Sequence, residues 1–440
     1  MPLSCLRVVV AVEQATCPHR MAALACVPKP GFVPVETSCK ATGFSKTPAG
    51  PRLPGNATQL FFVETALSSI HGGALGSSTT LTKLVFLNNN IQELEAGAFQ
   101  GLPSLVELEV SGNPLPAVSP GVLVGLPSLT KLSLGANAIR SLQPGLFAAA
   151  CHLQDLRLPG NKIEALPPGI FHPLRHLRTL DLSQNVLLHL DGNRLEELPP
   201  SAFAGLGELR RLQLQHNALG SLAPDIFASL PNLTVLSLEG NCLATLPAAL
   251  FTGTPHLLHL SLARNQLETL PQVLFANLSA LQTLVLSHNA MIHLPAGVFL
   301  PAGLLAGLPL LTSLVLDHNR LAHLPPGLFD ANELLARVEL ADNPWACDCH
   351  LTYLLGWLQN FAEPLTHVQA SCASPAALQG QSLLQVPQEQ LECPGAPGVP
   401  REEGWDREPG EDAPEQCTYS NPEGTISVAC DDRSCQQLSL

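Results

Sequence analysis

Leucines recur along this chain in one phrase, Leu-x-x-Leu-x-Leu-x-x-Asn. The phrase ends at Asn89, Asn113, Asn137, Asn161 and Asn185, again at Asn217, Asn241, Asn265 and Asn289, and then at Asn319 and Asn343. Within each run the interval is 24 residues, and stretches such as LTKLSLGAN (129–137) and LRRLQLQHN (209–217) are plain copies. A second apolar mark keeps the same beat. Ten residues after an Asn stand Phe99, Phe147, Phe171, Phe203 (counted from Asn193), Phe227, Phe251, Phe275, Phe299 and Phe329, with Leu123 substituting once. Inside the phrase the apolar positions alternate with period two, so each copy predicts a short strand with Leu on one face. The rest of each copy must climb back and set the next strand alongside in parallel, about 4.8 Å away.

Stacked this way, the leucines fill the inside of a coil and the phenylalanines form a second apolar column nearer its convex side. Each Asn is expected to turn inward and bond the backbone of the adjacent turn, because a buried peptide group left unpaired costs about 1–3 kcal/mol. Strands stack more tightly than the convex segments, so the array curves. The predicted fold is an α/β solenoid of the leucine-rich repeat type, a curved horseshoe with a parallel concave β-sheet and a disulfide-bonded C-terminal cap.

The beat fails twice. Asn289 to Asn319 is 30 residues, and GVFLPAGLLAGLPLL contains a near-duplicate of six, so an irregularity is expected at 300–306. Asn185 to Asn217 is 32 residues, whereas Asn193 to Asn217 is again 24. The rung is expected to end at Asn185, with residues 186–193 bulging as an oversized turn. Five segments follow: an irregular N-terminal region with a degenerate cap (1–58), about 11–12 repeats (59–343), a Cys-rich cap (344–394), an acidic Pro/Gly linker (395–415) and a Cys-containing tail (416–440).

Composition narrows the function. The chain has 440 residues, 46% hydrophobic and 13% charged, with a formal net charge of −14. That balance, and the lack of any basic run of five, disfavours nucleic acid as partner. No run of about 18 apolar residues predicts a membrane span. The apolar run Val8–Val12, interrupted by Glu13, is a poor signal peptide. Of thirteen cysteines, four precede residue 40 and seven follow residue 346. Cysteines clustered at the two ends of a leucine-rich body indicate disulfide-tied caps and an oxidising compartment. Cys151 and Cys242 lie between and are expected to be free, behaving as small apolar residues.

After Asn343 comes PWACDCHLTYLLGWLQNF, followed by Cys372 and Cys393. A disulfide-tied helix there would cover the exposed apolar end of the coil. The competing reading is a zinc site, since His350 follows Cys349, and it is the weaker one in an oxidising compartment.

The repeats and this cap resemble the extracellular leucine-rich repeat family. Three segments, FFVETALSSI (61–70), NPWACDCHLTYLLGWLQ (343–359) and QCTYSNPEGTISVACDDRSC (416–435), sharpen the resemblance to the non-catalytic, regulatory subunits of carboxypeptidase N. The resemblance implies the pairings Cys347–Cys372 and Cys349–Cys393. It also implies a secreted, extracellular regulatory subunit that binds and stabilises a catalytic zinc carboxypeptidase in a hetero-oligomer. The alternative is another secreted binder of the same build, a growth-factor-complex subunit or a pattern-recognition ectodomain. Two departures stand out. The family opens with a tight Cys-Pro-x-x-Cys-x-Cys cap, where this chain has Cys17-Pro18 and then Cys26 and Cys39; and the family continues beyond the tail.

No catalytic motif emerges: there is no His-Glu-x-x-His, no His-x-x-Glu, no Gly-x-Ser-x-Gly and no phosphate-binding loop. The chain is read as a non-enzyme without a cofactor or a metal. His288 and His318 occupy one column with Asp317 beside them; an exposed polar edge is the reading preferred over a metal site. Outward strand positions on the concave side are assigned to Lys83, Glu107, Glu109, Lys131, Asp155, Arg157, Asp181, Arg211, Glu239 and Asp317, a mixed-charge surface suited to a protein partner. Glycosylation sequons begin at Asn56, Asn232 and Asn277, the latter two expected at one repeat position ahead of their strands and away from the concave face.

Overall fold

The computed structural model describes residues 7–11, 57–185, 197–295, 304–360, 369–393, 416–421 and 424–429. The chain divides into two compact units, Met1–Pro394 and Gly395–Leu440. The first is built on a thirteen-stranded sheet. Its twelve parallel strands run from Gln59–Val63 to Arg337–Glu339, and Arg7–Ala11 pairs antiparallel with Gln59–Val63 at one edge.

Register follows the repeat. Leu60, Leu84, Leu108, Leu132, Leu156 and Leu180 are successive partners, and Leu212, Leu236, Leu260, Leu284, Leu314 and Val338 continue the column. All are buried and belong to one continuous core. Behind them the rings of Phe203, Phe227, Phe251 and Phe275 stack at centroid spacings of 6.1, 6.3 and 6.2 Å.

The Asn ladder bonds as a backbone bridge. Asn161 is fully buried; its Nδ2 donates to the Leu134 carbonyl of the previous turn (2.9 Å) and to its own Leu158 (3.0 Å). Its Oδ1 accepts from the Ile139 amide at 3.2 Å. Asn185, Asn241, Asn265, Asn289, Asn319 and Asn343 repeat this set, Asn113 and Asn137 vary it slightly, and Asn89 accepts from the Thr65 amide and hydroxyl.

The residue before every one of these eleven Asn has a positive φ, from 50° at Ala136 to 70° at Gly112, so the chain turns left-handed there and delivers the Asn inward. Only three of the eleven are glycines. At Gly112 the glycine also answers a close approach: an added Cβ would come within 2.1 Å of Asn88 Oδ1. The other eight accept a conformation that costs a residue bearing Cβ about 1–2 kcal/mol. Asn88, His216, His288, His318 and Asp342 are of the types that adopt it most readily, whereas Ala136, Gln184 and Arg264 are not.

Strand Thr179–Asp181 pairs directly with Arg211–Gln213, so the rung ending at Asn185 is in the sheet. The bulge expected at 186–193 lies outside the described residues. The irregularity expected at 300–306 needs correction at its C-terminal end. Leu304 and Leu305 are buried in a regular turn, and Asn332 Nδ2 donates to the carbonyls of Leu305 (3.1 Å) and Leu308 (2.7 Å). Leu305, 24 residues before Phe329, thus fills the convex column; Phe299 lies outside the described residues. Of the two near-duplicates, the second keeps the frame because its turn can bond the one that follows.

The cap closes the coil. Trp345 is wholly buried and its Nε1 donates to the Leu340 carbonyl at 2.9 Å. Helix Thr352–Asn360 buries Leu354, Leu355 and Leu358 against the last rungs. Trp345–Ala346 pairs with Cys372–Ser374, and disulfides join Cys347 to Cys372 and Cys349 to Cys393. With both sulfurs oxidised, the Cys-x-Cys pair is no zinc ligand. In the second unit, Gln416–Asn421 and Gly424–Ala429 form an antiparallel hairpin with Cys417 opposite Val428.

Candidate functional site

The outward positions of the parallel strands form two columns on the concave face. The first runs Lys83, Glu107, Lys131, Asp155, Thr179, Arg211, with neighbours in direct register. Its charges alternate in sign, and Lys83 Nζ meets Glu107 Oε1 at 2.6 Å. The second column carries Glu109, Arg157 and Asp181. Arg157 forks onto Asp155 with bonds of 3.0 and 2.9 Å. That bond, and then the charges of Asp155, Asp181 and Glu107, raise its pKa above the ordinary arginine value. Four cations (Lys83, Lys131, Arg157, Arg211) face four anions (Glu107, Glu109, Asp155, Asp181), so this half of the face is balanced although the chain carries −14. A balanced patch steers no strongly charged partner toward itself.

The next four strands differ. Val235, Ser237, His259, Ser261, Thr283, Val285, Ser313 and Val315 point outward with no carboxylate, Lys or Arg, and all but His259 are small. The charged half had been singled out from the sequence; this small-residue tract had not, although reading both outward positions of every strand would have found it.

Glu239 and Asp317 need relocation. They lie two residues beyond Val235–Ser237 and Ser313–Val315, on a rim and not on the strands. Glu239 faces Arg264 Nε at 3.5 Å. Asp317 Oδ2 meets His318 Nδ1 at 2.7 Å, and His318 Nε2 reaches Asp342 at 3.1 Å. The His288 and His318 rings stack with centroids 4.0 Å apart. Burial, and then the neighbouring His318 and Arg264, push the His288 pKa below the usual imidazole value.

A second histidine cluster lies at the junction of the last repeat with the cap; the sequence points to His350, beside Cys349, but not to His323 or Asp348. His323 Nε2 lies 3.2 Å from each oxygen of Asp348, and His350 Nδ1 lies 3.1 Å from Oδ1. Asp348 also caps the turn Cys349–Leu351, accepting from the His350 amide at 2.9 Å. Burial pushes its carboxyl up, but the bonds from the His350 amide and from His323 outweigh it and hold the group below the usual carboxylate range.

Two other expectations need correction. Asn232 stands three residues before Val235, and Asn277 six before Thr283, so the two sequons occupy different repeat positions. Both are exposed; Asn56 lies outside the described residues. Cys151 and Cys242 are free thiols, but exposed ones and not apolar filler. Each sits at a position whose side chain leaves the coil.

Repeated parallel rungs, an inward Asn ladder and a disulfide-tied cap define a repeat solenoid. The chain belongs to the leucine-rich repeat family: the leucine rich repeat model matches residues 58–115, 79–139, 127–187, 186–243 and 231–291. The leucine rich repeat C-terminal domain matches 369–394. Among known proteins the chain resembles carboxypeptidase N subunit 2. It is 42% identical to the Homo sapiens protein over 118 residues, covering 24% of this chain and 22% of that one, and 41% identical to the Mus musculus protein over the same length and shares. The chain thus matches about a fifth of the length of these relatives. The platelet glycoprotein Ib beta chain of Rattus norvegicus is 43% identical over 65 residues, 15% of this chain and 32% of that one. Among solved structures, a chain from an octameric complex of latrophilin 3, Unc5D and FLRT2 superposes with a TM-score of 0.61 at 25% identity, over 74% of this chain and 94% of that one. The mouse RP105/MD-1 complex gives 0.61 at 24%, over 77% of this chain and 55% of the other, and shows the fold alone. Among the described residues no helix is long and apolar enough to cross a membrane.

Proposed function

We propose that the chain is a secreted, non-enzymatic scaffold that holds a protein partner on its concave face, in the manner of a regulatory subunit bound to a catalytic zinc carboxypeptidase. The observation that carries the reading is the division of that face. The tract from Val235 to Val315 offers, apart from His259, small uncharged side chains that a partner can approach closely, and the charge-balanced half from Lys83 to Arg211 offers a specific pattern without a net field. Interfaces of this kind put uncharged contacts at the centre and polar ones around them. The carboxypeptidase assignment rests on the resemblance to subunit 2, and the zinc and the chemistry would belong to the partner. Secretion is supported by the two cap disulfides, and glycans at Asn232 and Asn277 would leave the strand face open. The segments 1–58, 59–343, 344–394, 395–415 and 416–440 serve as its working parts.

The test is capture of a zinc carboxypeptidase from medium by the secreted chain, repeated with Val285→Arg. Capture that Val285→Arg abolishes supports both partner and surface. Capture untouched by Val285→Arg and by Arg157→Glu removes the concave face from the proposal. Failure to capture any carboxypeptidase removes that partner.

A further inference from the structure

We propose that His323, Asp348 and His350 form a divalent-metal site that pins the last repeat to the C-terminal cap. The three side chains come from two different parts of the fold. His323 belongs to the turn after Asn319, while Asp348 and His350 open the cap. One nitrogen from each ring and one carboxylate oxygen gather within 4.8 Å of one another.

Their spacing matches a metal's first shell. Zinc binds imidazole nitrogen and carboxylate oxygen at about 2.0–2.2 Å, so neighbouring donors of a tetrahedral site stand about 3.3–3.5 Å apart. The two nitrogens already lie 3.2 and 3.1 Å from Asp348 oxygens. The ring planes are inclined at 59° with centroids 5.1 Å apart, so the rings are not stacked face to face. The other histidine cluster fails this condition. His288 and His318 stack with only 23° between their planes at 4.0 Å, so their lone pairs run nearly side by side.

The carboxylate is also fixed. The His350 amide holds Asp348 Oδ1, and the adjacent Cys349–Cys393 and Cys347–Cys372 bonds lock the backbone on either side. Such support orients a ligand before the ion arrives. Two imidazoles and one carboxylate suit zinc, nickel or copper better than calcium or magnesium, which favour all-oxygen sets. Three protein ligands leave a fourth position for water. Both histidines are partly exposed, so the ion has an entry path and either ring can be changed without emptying the core. The site is independent of the partner proposal, because it is measured on the isolated chain.

The test is titration of the chelator-treated full chain with zinc chloride by calorimetry, and with cobalt chloride by visible absorption. One zinc per chain and intense cobalt d–d bands are expected. His323→Gln and His350→Gln should each weaken zinc binding at least about tenfold, while His318→Gln leaves it unchanged. No stoichiometric uptake, uptake that survives both His323→Gln and His350→Gln, or loss on His318→Gln overturns the site. Circular dichroism of each variant, compared with the parent, establishes that a loss of zinc is not a loss of fold.

Discussion

Two rungs of the Asn ladder differ by one bond, and that difference is measurable. Asn161 and Asn217 are both buried, and each donates through Nδ2 to a carbonyl of the previous turn and one of its own: Leu134 and Leu158 for Asn161, Leu182 and Leu214 for Asn217. Asn161 Oδ1 also accepts from the Ile139 amide at 3.2 Å, whereas Asn217 Oδ1 is buried with no partner among the described residues. Replacing either by Ala removes the same atoms and leaves the same cavity. At about 1 kcal/mol net per bond, Asn217→Ala should cost about 2 kcal/mol and Asn161→Ala about 3 kcal/mol. The stranded Ile139 amide widens the gap, since a buried donor left unpaired costs about 1–3 kcal/mol. The difference between the two variants should therefore be about 1–3 kcal/mol. Urea unfolding followed by far-ultraviolet circular dichroism measures it, provided both variants unfold with the parent's m-value. Equal losses, or a larger loss at Asn217, would refute the contribution assigned to the bond that Oδ1 accepts.

The other predictions follow from the same contacts. Deleting residues 186–193 restores the 24-residue interval between Asn185 and Asn217; the shortened chain should keep its sheet, and Asn217→Ala in that background should cost as much as Asn161→Ala. Changing Cys347 and Cys372 together to Ser frees a loop of 25 residues and should cost about 3.5 kcal/mol by loop entropy, read as a lowered denaturation midpoint. Tyr353, on the cap helix, is half-buried against Phe329 and its hydroxyl donates to Asp330 Oδ1 at 2.9 Å; burial and then that carboxylate push its pKa up to about 12, although the Phe329 amide opposes them. The folded chain holds this proton more tightly than the unfolded chain, so the stability it confers is whole below about pH 10 and lost as pH rises toward about 12. Absorbance at the phenolate band should show a late step that Tyr353→Phe removes; the chain has only two tyrosines, so the step is resolvable.

The repeat was legible because its physics is periodic. A Leu every second residue forces a strand, and a 24-residue return forces the strands to stack, so Leu60 to Leu314 could be placed as one column before any coordinates. The left-handed residue before each Asn was legible only in part. Asn88, His216, His288, His318 and Asp342 are of the types that visit that region most readily, but Ala136, Gln184 and Arg264 take it too, because the demand is on the backbone and comes from the neighbouring turn. The second frame break shows the same limit. Phe299 and Leu305 both end a plausible copy, and only the bonds from Asn332 to Leu305 and Leu308 decide between them. His323 and Asp348 meet for a similar reason: they are 25 residues apart and belong to different motifs, so no spacing rule joins them.

The same periodicity bears on where recognition resides. Inward positions are held to Leu, Phe and Asn by packing and by the ladder, which leaves each rung two outward strand positions free to vary. Those positions run from alternating charges at Lys83–Arg211 to Val, Ser and Thr, with His259 among them, at Val235–Val315. A strand has no structural need for that change, since Leu108 and Leu284 are buried alike beneath both halves. Solvation alone would favour polar residues throughout. Val285 and Val315 adjoin in register on the open face, and an apolar pair there fits a surface that becomes covered. The proposed capture experiment therefore places its arginine at Val285, in the middle of that tract, and not among the charges that first drew notice.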